Sequence, residues 1–236
     1  MIPWEKIGVA RAPDGGELIL YQRAQEFVIR VDGRELMSSR AHGSEEAMAE
    51  LACERFAQAE APRVLIGGLG LGYTLAATLR LLPATARVIV AELVPAVVEW
   101  NRGPLANLAG RPLDDPRVEV KVLDVAGVLR ATRQRYDAIL YDVDNGPVAL
   151  TRKANQILYG DQGIKLVKST LRPGGVFSVW SAAPDTIFAA RLRRLGFTNV
   201  VTHDVQAHGV AGGPKHTIFV AGLAPALWWF RRGCAR

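Results

Sequence analysis

A cluster of glycines after a short apolar run constrains this chain more than any other feature. The run Val64–Ile66 is followed by Gly67-Gly-Leu-Gly-Leu-Gly72, and helical spacing begins at Tyr73. Glycine is needed where the backbone turns sharply and must approach a ligand without a Cβ in the way. The pattern predicts the strand, turn and helix start of a nucleotide-binding unit, and a tight turn without a ligand is the alternative. Three glycines are candidate cofactor-binding residues: Gly68, Gly70 and Gly72.

Acidic residues follow the next two apolar runs. The run Arg87–Glu92 ends in a carboxylate roughly 20 residues after the last glycine, a spacing that suits an acid accepting bonds from ribose hydroxyls. Asp124 follows the run 118–122, where its carboxylate can bind the exocyclic amine of adenine or cap a helix that begins near Ala126. We therefore predict a nucleoside pocket that contains Glu92 and Asp124. A solvated strand end is the alternative for Glu92.

Two further acids, Asp142 and Asp144, follow the apolar run Tyr136–Tyr141. Ligands of Rossmann-type sheets bind at the carboxyl ends of the strands, where the strand order reverses. Two acids at the end of a buried strand are costly unless they are used or paired. We therefore predict a functional role for Asp142 and Asp144.

Strand and helix patterns alternate from Arg63 onward. The candidate strands are 63–66, 87–91, 118–122, 136–141, 175–180, 199–204 and 216–221, and the candidate helices are 73–82, 95–102, 155–171 and 185–195. This alternation predicts an α/β fold with a mostly parallel seven-stranded sheet between helices. The short connection 208–214 indicates that the last strand is antiparallel. By analogy, this is the layout of the Rossmann-like class I AdoMet-dependent methyltransferase fold.

The first 60 residues have a different pattern. Glu17–Gln22 and Glu26–Val31 are β-prone, and Asp32-Gly33 is a hairpin signal before a returning strand at 34–37. Helical spacing then extends from Ser44 to Gln58. We therefore expect three parts: a small N-terminal β-hairpin segment plus helix (1–60), a nucleoside-binding Rossmann-like domain (61–225) and an aromatic and basic tail (226–236).

Composition limits the class of protein. The 236 residues, 49% of them hydrophobic, suffice for one sizeable domain with a full core. There is no apolar run of about 18 residues and no signal-peptide pattern, so we expect a cytoplasmic protein without a membrane partner. Cys53 and Cys234 have neither disulfide-framework nor metal-site spacing, and we expect no metal. The net charge of +6 is not concentrated in a basic block, which disfavours nucleic acid as a partner.

Four segments together resemble the spermidine/spermine synthase family: Leu65–Gly72, Val90–Glu92, Tyr136–Asp142 and Leu171–Phe177. That family transfers an aminopropyl group from decarboxylated AdoMet to a polyamine, on a methyltransferase-like fold behind an N-terminal β-domain. The resemblance implies that Glu92 holds the ribose and Asp124 the adenine. It implies that Asp142, with Asp144, orients the attacking amine and assists its proton. It also implies a homodimer.

The chain departs from the family in the acceptor half of the site. Leu71 stands where the resemblance implies an aspartate that binds the cationic aminopropyl amine, and Ala41 or His42 replaces a tyrosine. The resemblance implies that the donor is S-adenosylmethionine (AdoMet) or decarboxylated AdoMet, and the missing acid at Leu71 leaves the choice between them open. We expect aminopropyl transfer to a small-molecule amine acceptor. The alternatives are an AdoMet-dependent methyltransferase and a non-catalytic nucleoside-binding homodimer.

Overall fold

Two β-sheets form the framework of the protein. A computed structural model describes residues 2–11, 15–132, 135–143, 158–207 and 214–225. The smaller sheet contains four antiparallel strands in chain order: β1 (Glu5–Arg11), β2 (Glu17–Arg23), β3 (Glu26–Val31) and β4 (Arg34–Ser38). The predicted hairpin strands are β2 to β4. The sequence did not predict β1, because it is an edge strand with mostly exposed side chains and lacks a continuous apolar run.

The larger sheet contains seven strands in the order β10-β11-β9-β8-β5-β6-β7. They are β5 (Arg63–Gly67), β6 (Arg87–Glu92), β7 (Val118–Val122), β8 (Tyr136–Tyr141), β9 (Leu171–Ser181), β10 (Thr198–Gln206) and β11 (Lys215–Gly222). Strands β5 to β9 pair in parallel, whereas β11 is antiparallel to both β9 and β10. The predicted α/β class and the antiparallel last strand are confirmed.

Helix α1 joins the two sheets, and further helices connect strands of the larger sheet. In the described ranges they are α1 (Gly43–Cys53), α2 (Tyr73–Leu81), α3 (Pro95–Arg102), α4 (Val125–Ala131), α5 (Asp161–Thr170) and α6 (Thr186–Arg194). Two short 3-10 turns span Glu54–Phe56 and Pro112–Asp114. The predicted helix over 44–58 is therefore α-helical only as far as Cys53. The expected start of a helix at residue 155 and the tail 226–236 lie outside the described residues.

The segment Arg172-Pro-Gly-Gly175 lies inside a strand. The sequence pattern predicted a break between helix and strand here, but β9 already begins at Leu171, which pairs with Tyr136 of β8. The register then shifts before Val176 pairs with Ala138. Proline has no N–H for the ladder and glycine tolerates distortion, so both residue types fit an irregular strand start as well as a loop.

Two apolar clusters hold the layers together. The first joins the smaller sheet to one face of the larger sheet and includes Leu20, Ile29, Met48 and Leu69. The second packs α4, α5 and α6 on the opposite face and includes Tyr141, Phe177, Phe188 and Phe219. Burying each such side chain contributes about 1.5–3 kcal/mol. The smaller sheet is therefore fixed against the glycine turn rather than loosely attached.

Strand β5 marks the point where the strand order reverses. Strands β6 and β7 lie on one side of it, and β8 and β9 on the other. In open α/β sheets, ligands bind in the crevice outside the carboxyl ends of the strands at this point. The segments that follow Gly67, Glu92 and Tyr141 therefore border the expected site.

Two further findings concern membrane-spanning helices and metal-binding groups of side chains. Among the residues that the structure describes, no helix has the length and apolar character needed to cross a membrane. The same residues contain no group of three or more His, Cys, Asp or Glu side chains arranged to hold a metal ion.

Candidate functional site

Two neighbouring cavities lie between the smaller sheet and the carboxyl ends of the parallel strands. The glycine-loop cavity, of about 470 Å³, is lined by residues that include Gly68, Glu92 and Asp124. The α1 cavity, of about 590 Å³, is lined by residues that include Glu45, Tyr73, Trp180 and His216. Of the residues that the structure describes, four line both cavities: Leu36, Met37, Gly70 and Asp142. The two spaces therefore adjoin at Asp142.

The glycine turn leaves no room for a side chain at Gly68. This residue has a φ of +91°, and a Cβ at its position would lie 2.1 Å from the carbonyl oxygen of Asp142. Gly70, with a φ of +53°, borders both cavities, and its carbonyl oxygen accepts a hydrogen bond of 2.9 Å from Asn101 Nδ2. Gly72 precedes α2 with a φ of +87° and is not among the described lining residues of either cavity. Gly68 and Gly70 therefore shape the cavities, and Gly72 begins the helix.

Glu92 lies buried at the end of β6 and holds two loops in place. Its Oε2 accepts a hydrogen bond from the backbone N–H of Leu69 at 2.9 Å, and its Oε1 accepts one from Val94 at 2.8 Å. These bonds tie the carboxylate to the glycine turn and to the start of α3. A solvated strand end is excluded, because the side chain is buried and lines the glycine-loop cavity. A carboxylate can accept bonds from a ligand's hydroxyl groups in addition to bonds from the backbone.

Asp124 caps α4 and borders the glycine-loop cavity. Its Oδ1 accepts a hydrogen bond of 2.7 Å from the backbone N–H of Ala126. This is the capping role that the sequence left open, and Oδ2 is available for a further acceptor bond. The role of Asp124 in adenine binding stays a prediction.

Asp142 lies at the meeting point of the two cavities, directly after β8. Its Oδ2 accepts a hydrogen bond of 2.6 Å from Thr74 Oγ1, and its N–H donates to the carbonyl oxygen of Gly67 at 2.8 Å. Burial raises the pKa of the Asp142 carboxyl to about 6, although the bond from Thr74 acts in the opposite direction. Asp144, the other predicted catalytic residue, lies outside the described residues. Leu71 is buried in the wall of the α1 cavity and brings no charge to it.

Glu45, in the first turn of α1, is a candidate that the sequence did not single out. Its Oε2 accepts a hydrogen bond of 2.6 Å from Ser44 Oγ. Burial, and after it the negative charge of Asp142, raises the pKa of Glu45 to about 7. The α1 cavity thus brings together two carboxyl groups that are separated by 97 residues in the chain. Acids in a first helical turn are common for reasons of helix stability, so the sequence gave no distinguishing signal.

Ser44 connects Glu45 to the far end of the larger sheet. Trp180 Nε1 of β9 donates a hydrogen bond to Ser44 Oγ at 3.0 Å, and His216 Nδ1 of β11 lies 2.8 Å from the same oxygen. The rings of Trp180 and His216 also pack edge to face, with centroids 4.5 Å apart. Ser44 is fully buried, so these partners hold its hydroxyl group in one position.

Comparisons with known proteins bear on the family and the fold of the chain. The family model described as the spermine/spermidine synthase domain matches residues 42–187, which is more than half of the chain. The polyamine aminopropyltransferase 2 of Pseudomonas aeruginosa is 34% identical over 152 residues, which cover 61% of this chain and 41% of the relative. The chain therefore spans less than half the length of this curated relative.

Solved structures share the fold. The spermidine synthase from Thermotoga maritima matches with a TM-score of 0.73 at 20% identity, covering 95% of this chain and 75% of that one. Human methyltransferase-like protein 13, crystallised in complex with SAH, matches with a TM-score of 0.58 at 20% identity. That match covers 78% of this chain and 84% of the human chain. The first match includes the smaller N-terminal sheet as well as the larger one.

Proposed function

The chain belongs to the spermine/spermidine synthase family, and we propose that it transfers an aminopropyl group from decarboxylated AdoMet to a small-molecule amine. The observation that carries this proposal is the meeting of the glycine-loop cavity and the α1 cavity at Asp142. Two adjoining spaces suit a reaction between two substrates, because they hold both reactants close and in line. The name of the curated relative, an aminopropyltransferase, supports the same reaction.

The donor occupies the glycine-loop cavity. Glu92 accepts bonds from the ribose hydroxyls while it holds the glycine turn, and Asp124 accepts a bond from the amino group of adenine. The turn at Gly68 and Gly70 leaves room for the part of the donor that lies next to the sulfur. The sulfonium and its aminopropyl group then extend toward Asp142, at the wall that the two cavities share.

The acceptor amine occupies the α1 cavity and attacks the aminopropyl carbon bound to sulfur. Its nitrogen lone pair forms the new C–N bond as the C–S bond breaks, and the bond electrons neutralise the sulfonium, leaving methylthioadenosine. The attacking nitrogen loses a proton to Asp142. A carboxyl group with a pKa of about 6 is largely ionised at neutral pH and can therefore act as the base.

The acidic character of the α1 cavity distinguishes aminopropyl transfer from methyl transfer. AdoMet carries a carboxylate that decarboxylated AdoMet lacks, and Asp142 and Glu45 would repel it. The ammonium group that both donors carry is attracted by the same two acids. We therefore expect the decarboxylated donor to be preferred.

Calorimetric titration with decarboxylated AdoMet, AdoMet, methylthioadenosine and NAD tests the proposal. Decarboxylated AdoMet and methylthioadenosine are expected to bind, with AdoMet weaker than its decarboxylated form. Tighter binding of AdoMet would favour methyl transfer. Failure of every adenosine compound to bind would overturn the donor assignment. We also propose that the protein forms a homodimer. Light scattering at micromolar concentration tests this proposal, and a monomer would contradict it.

A further inference from the structure

The hydroxyl group of Ser44 has three polar neighbours and only one hydrogen to donate. Glu45 Oε2 lies 2.6 Å from Ser44 Oγ, His216 Nδ1 lies 2.8 Å from it, and Trp180 Nε1 lies 3.0 Å from it. The three neighbours belong to α1, β11 and β9. Because Ser44 is fully buried, these groups must satisfy its hydroxyl group.

The number of hydrogens at Ser44 links Glu45 to His216. An indole N–H group can only donate, so Trp180 uses one lone pair of Ser44 Oγ. The single hydrogen of Ser44 cannot serve both an ionised Glu45 and an unprotonated His216 Nδ1. Two arrangements satisfy both contacts. In one, Nδ1–H donates to Ser44, which donates to the Glu45 carboxylate. In the other, a protonated Glu45 donates to Ser44, which donates to Nδ1.

We propose that Ser44 relays a proton between Glu45 and His216, and that His216 is a positioning residue that controls the charge of Glu45. When Glu45 gives its proton to Ser44 Oγ, Ser44 gives its own hydrogen to His216 Nδ1, so the hydroxyl group is restored. An imidazole that already carries Nε2–H becomes an imidazolium cation, and the carboxyl group becomes a carboxylate. The charge of Glu45 and the protonation of His216 therefore change together, as one coupled pair.

The consequence of the relay for turnover rests on the proposed function, whereas the relay itself does not. In the proposed reaction, Asp142 takes up the proton of the attacking amine, and it lines the α1 cavity together with Glu45 and His216. The charge of Asp142 raises the pKa of Glu45, so an ionised Glu45 in turn increases the affinity of Asp142 for a proton. His216 thus acts on the base through Ser44 and Glu45.

Other charged or titratable side chains also surround the relay. Of the residues that the structure describes, those near Glu45 are Glu35, Arg40, Glu46, Tyr73 and Asp142, and those next to His216 in the sheet are Asp204 and Lys215. Their charges shift the titration of the pair, but they do not determine which ring nitrogen of His216 carries the proton. The tautomer of His216 is therefore the signal that reports the relay.

The matched control is Glu46, the next residue of α1. Its carboxylate lies 3.5 Å from Arg80 Nη2 and 3.5 Å from His42 Nδ1, and it is not among the described lining residues of the α1 cavity. Glu45→Ala and Glu46→Ala remove the same group from the same helical turn, and alanine is the most favourable residue for a helix. Both variants are therefore expected to fold.

The test is long-range proton–nitrogen correlation NMR of the histidine rings at about pH 9, above the ordinary pKa of histidine and the raised pKa of Glu45. The chain has four histidines, so a His216→Asn variant assigns the signals of His216. The wild type should show the Nδ1–H tautomer, because Ser44 donates to the ionised Glu45. Glu45→Ala removes that acceptor, so Ser44 should donate to Nδ1 and His216 should change to the Nε2–H tautomer. Glu46→Ala should keep Nδ1–H.

Each NMR outcome decides the relay. An Nε2–H tautomer in the wild type overturns it, as does an Nδ1–H tautomer in Glu45→Ala. A change of tautomer in Glu46→Ala also overturns it, because a general disturbance of the helix would then explain the result. If Glu45→Ala does not fold, Glu45→Leu takes its place with the same expected tautomer. The spectra need no ligand, so they stand even if the proposed function fails.

The pH dependence of turnover tests the link from the relay to Asp142. With decarboxylated AdoMet and 1,4-diaminobutane, the acid limb of kcat should lie at lower pH in Glu45→Ala than in Glu46→Ala. The reason is that Asp142 loses a negative neighbour and gives up its proton more readily. An acid limb at the same pH in the two variants would overturn the action of His216 on the base.

Discussion

The glycine-loop cavity and the α1 cavity adjoin at Asp142 but are built in different ways. In the glycine-loop cavity, the acids are tied to the backbone: Glu92 accepts bonds from Leu69 and Val94, and Asp124 accepts one from Ala126. In the α1 cavity, Glu45 is bonded to a side chain, and its pKa is raised to about 7. Apart from the shared Asp142, the glycine-loop cavity holds its acids by backbone contacts, whereas the α1 cavity contains Glu45, whose charge responds to a ligand and to pH.

The difference between the two cavities indicates that the glycine-loop cavity binds the donor and that the α1 cavity takes part in proton transfer. Carboxylates whose oxygens accept backbone N–H groups are held in one position, which suits them to recognising a fixed part of a donor. A carboxyl group held near neutrality exchanges protons readily at working pH. We therefore expect changes in the glycine-loop cavity to alter donor affinity and changes in the α1 cavity to alter turnover and acceptor choice.

Asp142→Asn is expected to have the largest effect. The amide can still accept the bond from Thr74, but it cannot take up a proton, so kcat should fall by about 10²–10⁴-fold. Affinity for methylthioadenosine should change by less than about twofold, because the contacts of Glu92 and Asp124 are intact. Steady-state release of methylthioadenosine and calorimetry measure the two quantities. Turnover within a few-fold of the wild type would show that Asp142 is not the base.

Glu92→Ala is expected to weaken methylthioadenosine binding by about 1.5–3 kcal/mol, the range for hydrogen bonds to a charged group. The free energy of unfolding should also fall, because the N–H groups of Leu69 and Val94 lose their acceptor. Calorimetry and urea denaturation separate the two effects. Glu99→Ala, at an exposed position of α3, is the control. It should alter neither the affinity for methylthioadenosine nor the free energy of unfolding. Unchanged methylthioadenosine affinity in a folded Glu92→Ala variant would show that Glu92 does not bind the ribose.

The free energy of unfolding is expected to fall as pH rises from about 4.5 through about 7. Burial raises the pKa of Glu45 from 4.5 to about 7 in the folded state, so the unfolded chain releases this proton first. The loss is on the order of 2 kcal/mol after allowance for solvent screening. Urea denaturation at about pH 5 and about pH 8 should show a smaller loss in Glu45→Gln than in Glu46→Gln. Equal losses in the two variants would mean that Glu45 titrates normally.

Substitutions at Asp124 are expected to have the smallest effect and to separate its two roles. Asparagine is as good a helix cap as aspartate, so Asp124→Asn should leave the melting temperature unchanged while weakening methylthioadenosine binding by about 0.5–1.5 kcal/mol. Asp124→Ala should also lose about 1 kcal/mol of stability, because Ala126 loses its capping partner. Full affinity in Asp124→Asn would leave the cap as the only role of this residue.

The sequence predicted the larger sheet and the glycine-loop cavity because their signals are local. The glycine turn and Glu92 lie within one strand-helix-strand unit, and their spacing reflects the geometry of that unit. The edge strand β1 and the irregular start of β9 were not predicted, because exposure and strand pairing, rather than an apolar run, determine them.

The α1 cavity could not be predicted in the same way. Ser44 and His216 are 172 residues apart, and only the antiparallel position of β11 beside β9 brings them together. Glu45 has no sequence feature that distinguishes it from Glu46, and the two differ in their surroundings: Glu45 lines the cavity, whereas Glu46 pairs with Arg80. Chemistry that depends on burial and on long-range contacts emerges only after the fold is known.

Product analysis is the most direct test that the two cavities hold donor and acceptor of one reaction. The protein is incubated with decarboxylated AdoMet and 1,4-diaminobutane, and the products are identified by mass spectrometry. We expect methylthioadenosine and an aminopropylated amine in equal amounts, with both formed about 10²–10⁴-fold more slowly by Asp142→Asn. Methylated amine and S-adenosylhomocysteine from AdoMet, with no product from the decarboxylated donor, would contradict aminopropyl transfer.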